Sequence, residues 1–334
     1  MCVRHYATQN AEVIKHSNRS ILFFFFAASN LLATSSGWIV FEVLRDRKKS
    51  SLAYHRLLLA MSLGDWILSF SSFFLTTWPI PADETGVFAN SGNMTTCQIQ
   101  GFFVQLSAPY SLYNAYLATY YVLLVRYNWK ERDLKRIEYG AHVFTFLFSL
   151  TTAIAAIPLT LYNNYVNLLC WISESPMGCV GEECERGQNA IKYQYAFYFV
   201  WIWGSLVVVT VMMGMLYWTV HQQTQANKRY AHDGGTASGE TPGSKNKQRV
   251  AKQAFLYIFS YYLMNLFPTI QLIIKSITGG GYFAIYFLNG FFFPMQGFFN
   301  LIVFVHRRKE MKTPEGCLLR KVLCCTICAR KTEH

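Results

Sequence analysis

The sequence predicts an all-α protein, a bundle of seven transmembrane helices. Seven apolar stretches are each long enough to cross the roughly 30 Å hydrocarbon layer of a bilayer as a helix. Hydrophobic residues make up 52% of the 334-residue chain, which leaves little for a separate soluble core. We therefore expect one membrane domain. The apolar stretches lie near Ser20–Leu44, Tyr54–Trp78, Cys97–Val125, Ile137–Leu161, Tyr193–Val220, Ala251–Ile274 and Tyr282–Val305.

The distribution of basic residues predicts the orientation of this bundle. If the chain begins outside the membrane, the inner loops and tail hold 24 of the 30 Lys and Arg residues, and the outer segments hold six. This asymmetry follows the positive-inside rule, so we expect a multi-pass plasma-membrane protein with an extracellular N-terminus and a cytoplasmic C-terminus. The net charge of +12 is then cytoplasmic. Its expected partners are anionic membrane lipids and a docking protein, because no nucleic-acid motif accompanies it.

The predicted domain organisation has three parts. Residues 1–19 form an extracellular segment, 20–305 form the seven-helix domain, and 306–334 form a cytoplasmic tail. The third cytoplasmic loop, 221–250, is predicted to be partly disordered, since Asp233–Ser244 is too polar and Gly-rich to fold alone. The flanks of that loop are predicted to extend the fifth and sixth helices into the cytosol.

Modification sites are predicted on both sides of the membrane. Asn18 and Asn93 begin N-glycosylation sequons, and both fall on the outer side. In the tail, three cysteines near apolar residues are candidates for palmitoylation on a short amphipathic segment. They are Cys324, Cys325 and Cys328. A zinc site is the alternative for this cluster, although a second ligand pair and a nearby His are lacking.

The outer cysteines lie where disulfides form. Cys97 opens the third predicted helix and Cys170 lies in the second outer loop, so both meet an oxidising environment. Cys179 and Cys184 lie in the same loop, close enough to close a small local ring.

One charge lies deep in the predicted bundle. Asp65 comes eleven residues after the start of the second helix, roughly 16 Å into the bilayer at 1.5 Å per residue. A carboxylate at this depth needs a partner, an ion or a proton, or it ties helices together through hydrogen bonds. We expect it to approach Asn300 in the seventh helix, directly or through water or a sodium ion. Pro268 and Pro294 lie in the middle of the sixth and seventh helices, where each permits a static kink or a hinge.

These features together resemble a G-protein-coupled receptor, and within that class the cyclic-AMP-receptor-like group, with secretin-like features. The resemblance rests on seven spans with an outside start, Cys97 opening the third helix, the Cys170-Trp171 pair, and Pro294-Met-Gln-Gly-Phe-Phe-Asn300 in the seventh helix. It implies a disulfide between Cys97 and Cys170, an extracellular ligand, and a cytoplasmic heterotrimeric G protein.

The sequence departs from related receptor groups in ways that constrain the sites. Arg126 lacks the acidic neighbour of the rhodopsin-like Asp-Arg-Tyr motif, and about 19 extracellular residues are too few for a secretin-like hormone-binding domain. A ligand would therefore use the outer cavity of the bundle, whose candidate contacts are Gln100, Gln105, Tyr110, Tyr113, Tyr198 and Trp201. The candidate G-protein docking residues at the cytoplasmic mouth are Arg126, Lys130, Arg132, Lys247, Arg249 and Lys252. Anchoring to anionic lipid is the alternative role for these bases.

Other functions fit less well. A transporter or a membrane sensor that does not use G proteins is the main alternative, but a transporter usually shows internal repeats or several intramembrane ionisable groups. A light-driven opsin needs a lysine in the seventh helix, and Tyr282–Val305 contains none. The histidines show no paired metal-ligand spacing, so we expect no enzyme and no resident cofactor apart from the sodium ion considered at Asp65.

Overall fold

The computed structural model describes residues 30, 33–46, 52–179, 181–232, 242–278, 283–292, 297–302 and 304–305. Several predicted sites therefore lie outside the described residues. They are the N-terminal segment with Asn18, the proline at position 294, and the tail with Cys324, Cys325 and Cys328.

The described residues form seven helical elements in the order that the apolar stretches predict. Element α1 covers 33–45, and α2 covers Ala53–Leu68 and continues as a π-helical turn over Ser69–Phe74. Element α3 runs through Met94–Ser107, a 3₁₀ turn at Ala108–Leu112, and Tyr113–Val125. Element α4 is Glu131–Ala155. Element α5 joins Ala190–Gln194, a π-helical turn at Tyr195–Phe199, and Val200–His232. Element α6 is Pro242–Thr278, and α7 comprises Phe283–Phe292 and the helical residues after 296.

The helices extend beyond the apolar stretches where the flanking residues are charged. Element α4 begins six residues before the predicted Ile137, because its first turns are exposed and Asp133 accepts a hydrogen bond from the Lys130 backbone, which caps the helix. Elements α5 and α6 extend through 232 and from 242, which confirms that the flanks of the third loop are helical. Among the described helices, one continuous stretch, Ala190–Ala226, is by itself long and apolar enough to cross a membrane. The π and 3₁₀ turns divide α2 and α3 into shorter regular pieces.

Pro109 explains the irregular turn within α3. It lies at the start of the 3₁₀ turn and has no N–H to donate to the carbonyl four residues earlier, so the helix tightens there. Opposite this turn, α2 presents Gly64, where an added methyl group would lie 2.4 Å from Cβ of Tyr110. The small residue therefore lets α2 and α3 approach closely.

A two-stranded hairpin closes one end of the bundle. Strands β1 (Tyr162–Tyr165) and β2 (Leu169–Ile172) are antiparallel, with Tyr162 opposite Ile172. Tyr162 is fully buried and its ring faces Gly101 of α3, where an added Cβ would lie 2.5 Å from the ring. Because β1 packs this closely on α3, the hairpin has a fixed position on the bundle.

Two disulfides hold the segment that contains the hairpin. Cys97 bonds to Cys170, which joins α3 to β2, and both residues are fully buried. The structure thereby confirms the pairing that the receptor resemblance implies. Cys179 bonds to Cys184 and closes the predicted small ring around the short 3₁₀ helix Gly181–Glu183.

We expect loss of the first disulfide to destabilise the fold more than loss of the second. The Cys97–Cys170 bond closes a sequence separation of 73 residues, and in the chain-entropy model a loop of that size stabilises the folded state by about 4 kcal/mol. The second bond closes a separation of 5, which the same model values at about half as much. Replacement of both cysteines by Ser in each pair, with thermal unfolding in detergent and surface expression as readouts, checks the order. Equal losses for the two double variants would contradict it.

Candidate functional site

Gln100 joins three elements at the hairpin end of the bundle. Its Nε2 donates to the backbone carbonyl oxygens of Ser71 at 2.9 Å and Thr76 at 2.8 Å, which follow the regular part of α2. Its Oε1 accepts from the backbone N–H of Cys170 at 2.8 Å. The side chain is fully buried. The structure thus gives this predicted ligand contact a full set of protein partners.

Gln105 has a similar role one turn deeper. Its Oε1 accepts from Nε1 of Trp171 at 3.0 Å, and its Nε2 donates to Oγ1 of Thr152 in α4 at 3.2 Å. Tyr198 packs edge-to-face on the Trp171 ring, with centroids 5.5 Å apart. Three of the predicted cavity residues therefore support the hairpin rather than line an open space, and their contact with a ligand stays a prediction.

The other three predicted cavity residues lie elsewhere. Trp201 contacts the rings of Phe144 and Phe148 and is 37% exposed. Tyr110 packs against α2. The hydroxyl of Tyr113 forms a hydrogen bond with Nδ1 of His142 at 2.8 Å. These six residues do not form one cluster.

An ion-pair network that includes a buried glutamate adjoins that histidine. Arg56 of α2 donates through Nε and Nη2 to both carboxylate oxygens of Glu138 in α4, and His142 lies 3.6 Å from the same carboxylate. Arg56 lies in the first turn of α2. Its bidentate geometry joins α2 to α4 and satisfies a carboxylate that would be costly to bury alone.

A polar cluster that the sequence analysis did not identify lies between the hairpin, α6 and α7. Lys275 of α6 contacts Glu174 of the loop after β2 at 2.9 Å. Gln271 donates to the hydroxyl of Tyr165 at 2.8 Å and accepts from Asn289 of α7 at 2.7 Å. We name these five residues the outer polar cluster. A lone Lys directly after the sixth apolar stretch, Lys275, is the sequence signal that could have indicated this cluster.

The environment of Glu174 lowers the pKa of its carboxyl. Burial raises this pKa, but the neighbouring Lys275 ammonium and the backbone N–H of Gly178 stabilise the charged form and bring it below the ordinary value of 4.5. Gly178 donates to Oε1 at 3.4 Å, and both members of the ion pair are buried. The pair is therefore ionised under ordinary conditions.

Asp65 and Asn300 meet in the centre of the bundle, as predicted. Asn300 Nδ2 donates to Asp65 Oδ2 at 3.4 Å, and both side chains are buried. Asn300 Oδ1 and the hydroxyl of Ser62, one turn before Asp65, are buried without a hydrogen-bond partner among the described residues. We name Ser62, Asp65 and Asn300 the polar centre.

The opposite end of the bundle carries the predicted docking residues. Arg126, directly after α3, donates through Nη1 to Oγ1 of Thr219 in α5 at 3.2 Å. Lys130 and Arg132 are exposed at the start of α4. The backbone places Lys247, Arg249 and Lys252 in the first three turns of α6, and Pro268 lies within the same helix.

The second predicted glycosylation site lies at the hairpin end. Asn93 is exposed and caps the start of α3, because its Oδ1 accepts from the backbone N–H of Thr96 at 3.0 Å. Its modification stays a prediction.

Comparisons with known proteins identify the class of this fold. The crystal structure of squid rhodopsin superposes with a TM-score of 0.62 at 11% identity, over 90% of this chain and 81% of the rhodopsin chain. A family profile described as the C-terminal part of a G protein-coupled glucose receptor regulating Gpa2 matches residues 242–313, which include α6 and the described part of α7. The comparison with curated proteins found no match.

The chain is therefore a protein that resembles G-protein-coupled receptors and has the rhodopsin fold. The matching profile is a glucose-receptor family rather than the cyclic-AMP-receptor-like group that the sequence suggested.

We expect the outer polar cluster to make the stability of the folded protein depend on pH in the acidic range. Because the folded-state pKa of Glu174 is lowered, its ionised form contributes stability above the ordinary pKa of 4.5, and this contribution is lost as the pH falls through the lower folded-state value. Between about pH 6 and about pH 3, Glu174→Gln should therefore show a smaller fall in unfolding temperature than the wild type. Glu182→Gln, an exposed acid in the same loop, is the matched control and should behave as the wild type. An identical acid response in the Glu174 variant would contradict the assignment.

Proposed function

We propose that the protein is a plasma-membrane receptor that binds an extracellular ligand and activates a cytoplasmic heterotrimeric G protein. The observation that carries this proposal is the receptor-family match over residues 242–313 on a chain with the rhodopsin fold. The hairpin end then faces outward and the basic end faces the cytosol, as the positive-inside rule favours. Anionic lipids are further partners of the basic end.

The family match suggests the partner and the first ligand to test. The G protein would be an α subunit related to Gpa2, and glucose or another small polyhydroxy compound is the first ligand class. Cyclic AMP is not proposed as the ligand, although the sequence resembles the cyclic-AMP-receptor-like group. The outer loops carry six acids against three bases, so an anionic nucleotide gains nothing from their net charge.

The outer polar cluster supports a ligand site near the hairpin, α6 and α7. Tyr165 and Asn289 are half-buried, and with Gln271 they offer a phenol and two amides. Such groups fix a small polar ligand through hydrogen bonds. A ligand that bonds to them would contact α6 and α7 together, and α6 carries the candidate hinge at Pro268.

The basic end supports a docking site for the G protein. Elements α5 and α6 extend through 232 and from 242, well past the apolar stretches, so their ends reach beyond the membrane. Arg126 holds α5 through Thr219, and Pro268 can let α6 swing away from that position. The opened mouth would admit a partner helix into an apolar groove with a basic rim, when a ligand prefers the open state.

The polar centre supports a role in switching. Asp65 with the oxygens of Ser62 and Asn300 offers the hard ligands that sodium prefers, so a sodium ion or water can join α2 to α7 there. Burial of polar groups in an apolar bundle is energetically costly, so their presence supports a functional role.

We expect Asp65→Asn to alter signalling more than folding. The amide keeps a hydrogen bond to Asn300 and the side-chain volume but removes the charge that would hold a cation. Surface expression should stay within about twofold of wild type, while the effect of sodium on ligand affinity disappears, since sodium can shift the equilibrium only through its own binding. Ser107→Ala, a change at a buried polar position of a different helix, α3, is the control. Unchanged activation and unchanged sodium sensitivity in the Asp65 variant would contradict the switching role.

We expect the basic rim to be needed for coupling. Arg126→Ala combined with charge reversal at Lys247, Arg249 and Lys252 should lower ligand-stimulated nucleotide exchange on the G protein by about tenfold, because rim charges steer the partner. The assay uses purified receptor in nanodiscs, with neutral lipid as well as anionic lipid, so that loss of lipid anchoring is separated from loss of docking.

Two controls accompany that experiment. Deletion of residues 234–240 should leave exchange unchanged, since this segment is predicted to be linker. Lys192→Glu changes a charge at the opposite end and should also have no effect. If the combined rim variant retains full exchange in both lipids, the proposed docking site is wrong.

A further inference from the structure

The loop after β2 is rigidly attached to α3. Cys170 bonds to Cys97 and its backbone N–H donates to Gln100, while the Trp171 indole donates to Gln105. Glu174 follows β2 by two residues. Its position is therefore set by α3, through one covalent bond and two buried hydrogen bonds.

Glu174 holds α6 from this fixed position. Lys275 Nζ lies 2.9 Å from Oε1 and 3.1 Å from Oε2, so both carboxylate oxygens contact the ammonium. The Glu174 side chain is 7% exposed and the Lys275 side chain is 10% exposed. A buried pair of this kind is energetically costly to break, because removal of one partner leaves a charge that must reach water or be neutralised. It therefore joins the loop and α6 far more firmly than an exposed pair.

Neighbouring contacts direct the same end of α6 toward the hairpin and α7. The Lys275 ammonium lies 5.8 Å from the centre of the Tyr165 ring, and Gln271, one turn earlier, bonds to the hydroxyl of the same tyrosine. Asn289 of α7 bonds to Gln271. A movement of Lys275 away from Glu174 would therefore also disturb the contacts of α6 with β1 and α7.

Pro268 separates this end of α6 from a second set of contacts. On the other side of the proline, the hydroxyls of Tyr261 and Tyr262 form hydrogen bonds with Ser205 and Thr210 of α5, respectively. Pro268 cannot donate to the carbonyl of residue 264, so α6 bends most easily between the two sets. A change in the bend at Pro268 moves the two ends of this continuous helix relative to each other. Release of the outer end therefore permits a bend that displaces the contacts of the inner end with α5.

We propose that Glu174 and Lys275 form a latch between the second outer loop and α6 that holds the receptor in its resting state. Release of the latch lets α6 turn about Pro268 and weakens the Tyr261 and Tyr262 contacts with α5. The inference rests on the proposed receptor function for its signalling consequence. The latch itself is a contact between the loop after β2 and α6 and does not depend on that function. A ligand in the outer polar cluster would act by competing for Tyr165, Gln271 or Lys275.

Charge reversal tests the latch. Glu174→Lys and Lys275→Glu each place like charges together, and the double variant restores an opposite pair with the signs exchanged. The measurement is the distance between two bioorthogonal spin labels at Gln222 of α5 and Leu256 of α6, both exposed and on the far side of Pro268. Basal nucleotide exchange on the G protein is measured in the same preparations. Glu182→Lys and Lys192→Glu make the same charge changes at exposed positions of the same end and serve as controls.

Each single reversal should lengthen the mean label distance and raise basal exchange by roughly threefold to tenfold, since a resting receptor populates its minor state at a few per cent. The double reversal should return both readouts toward the wild type, and both controls should match the wild type. If a single reversal fails to reach the surface, Glu174→Gln and Lys275→Gln, which remove one charge without repulsion, replace it with the same expected direction.

The outcomes separate the latch from the receptor function. Unchanged distances in folded single variants, or no recovery in the double reversal, would overturn the latch. Distances that change and recover as expected, with no exchange in any variant or with any ligand, would support the latch and count against G-protein coupling instead.

Discussion

The bond between Cys97 and Cys170 sets the position of everything at the hairpin end. It fixes β2 on α3, where the backbone N–H of Cys170 donates to Gln100 and the Trp171 indole donates to Gln105. Gln100 in turn donates to the carbonyl oxygens of Ser71, in the π-helical turn of α2, and of Thr76, after it. A single covalent constraint thereby orders α2, α3 and the second outer loop together.

Burial of polar groups in an apolar bundle is the second organising constraint. Arg56 with Glu138, Asp65 with Asn300, and Glu174 with Lys275 are each shared between two separate parts of the chain. A polar group in this environment needs a partner, and one helix alone seldom supplies it. These contacts therefore determine which helices lie side by side, whereas apolar packing alone would tolerate several arrangements.

The three polar contacts also lie at three different levels of the bundle. The outer pair joins the loop to α6, the central pair joins α2 to α7, and the third joins α2 to α4. Groups that join helices are places where a ligand, an ion or a partner can alter the balance between conformational states. The irregular turns in α2, α3 and α5 give each helix a point at which it can bend.

The sequence by itself determined the number and order of the described helices, because charged segments interrupt its seven apolar stretches. The same reasoning identified Asp65 and Asn300, since an acid deep in an apolar helix is detectable without a structure and Asn300 belonged to a recognised motif. Only the tertiary structure decided the partners of Gln100, Gln105, Arg56 and Lys275. Their contacts join residues 24 to 101 positions apart, and hydropathy along one chain carries no information on which helix faces which. It also placed Lys275 in α6, one residue beyond the apolar stretch, because an ion pair with a distant carboxylate makes a charge acceptable where an apolar pattern alone ends the span.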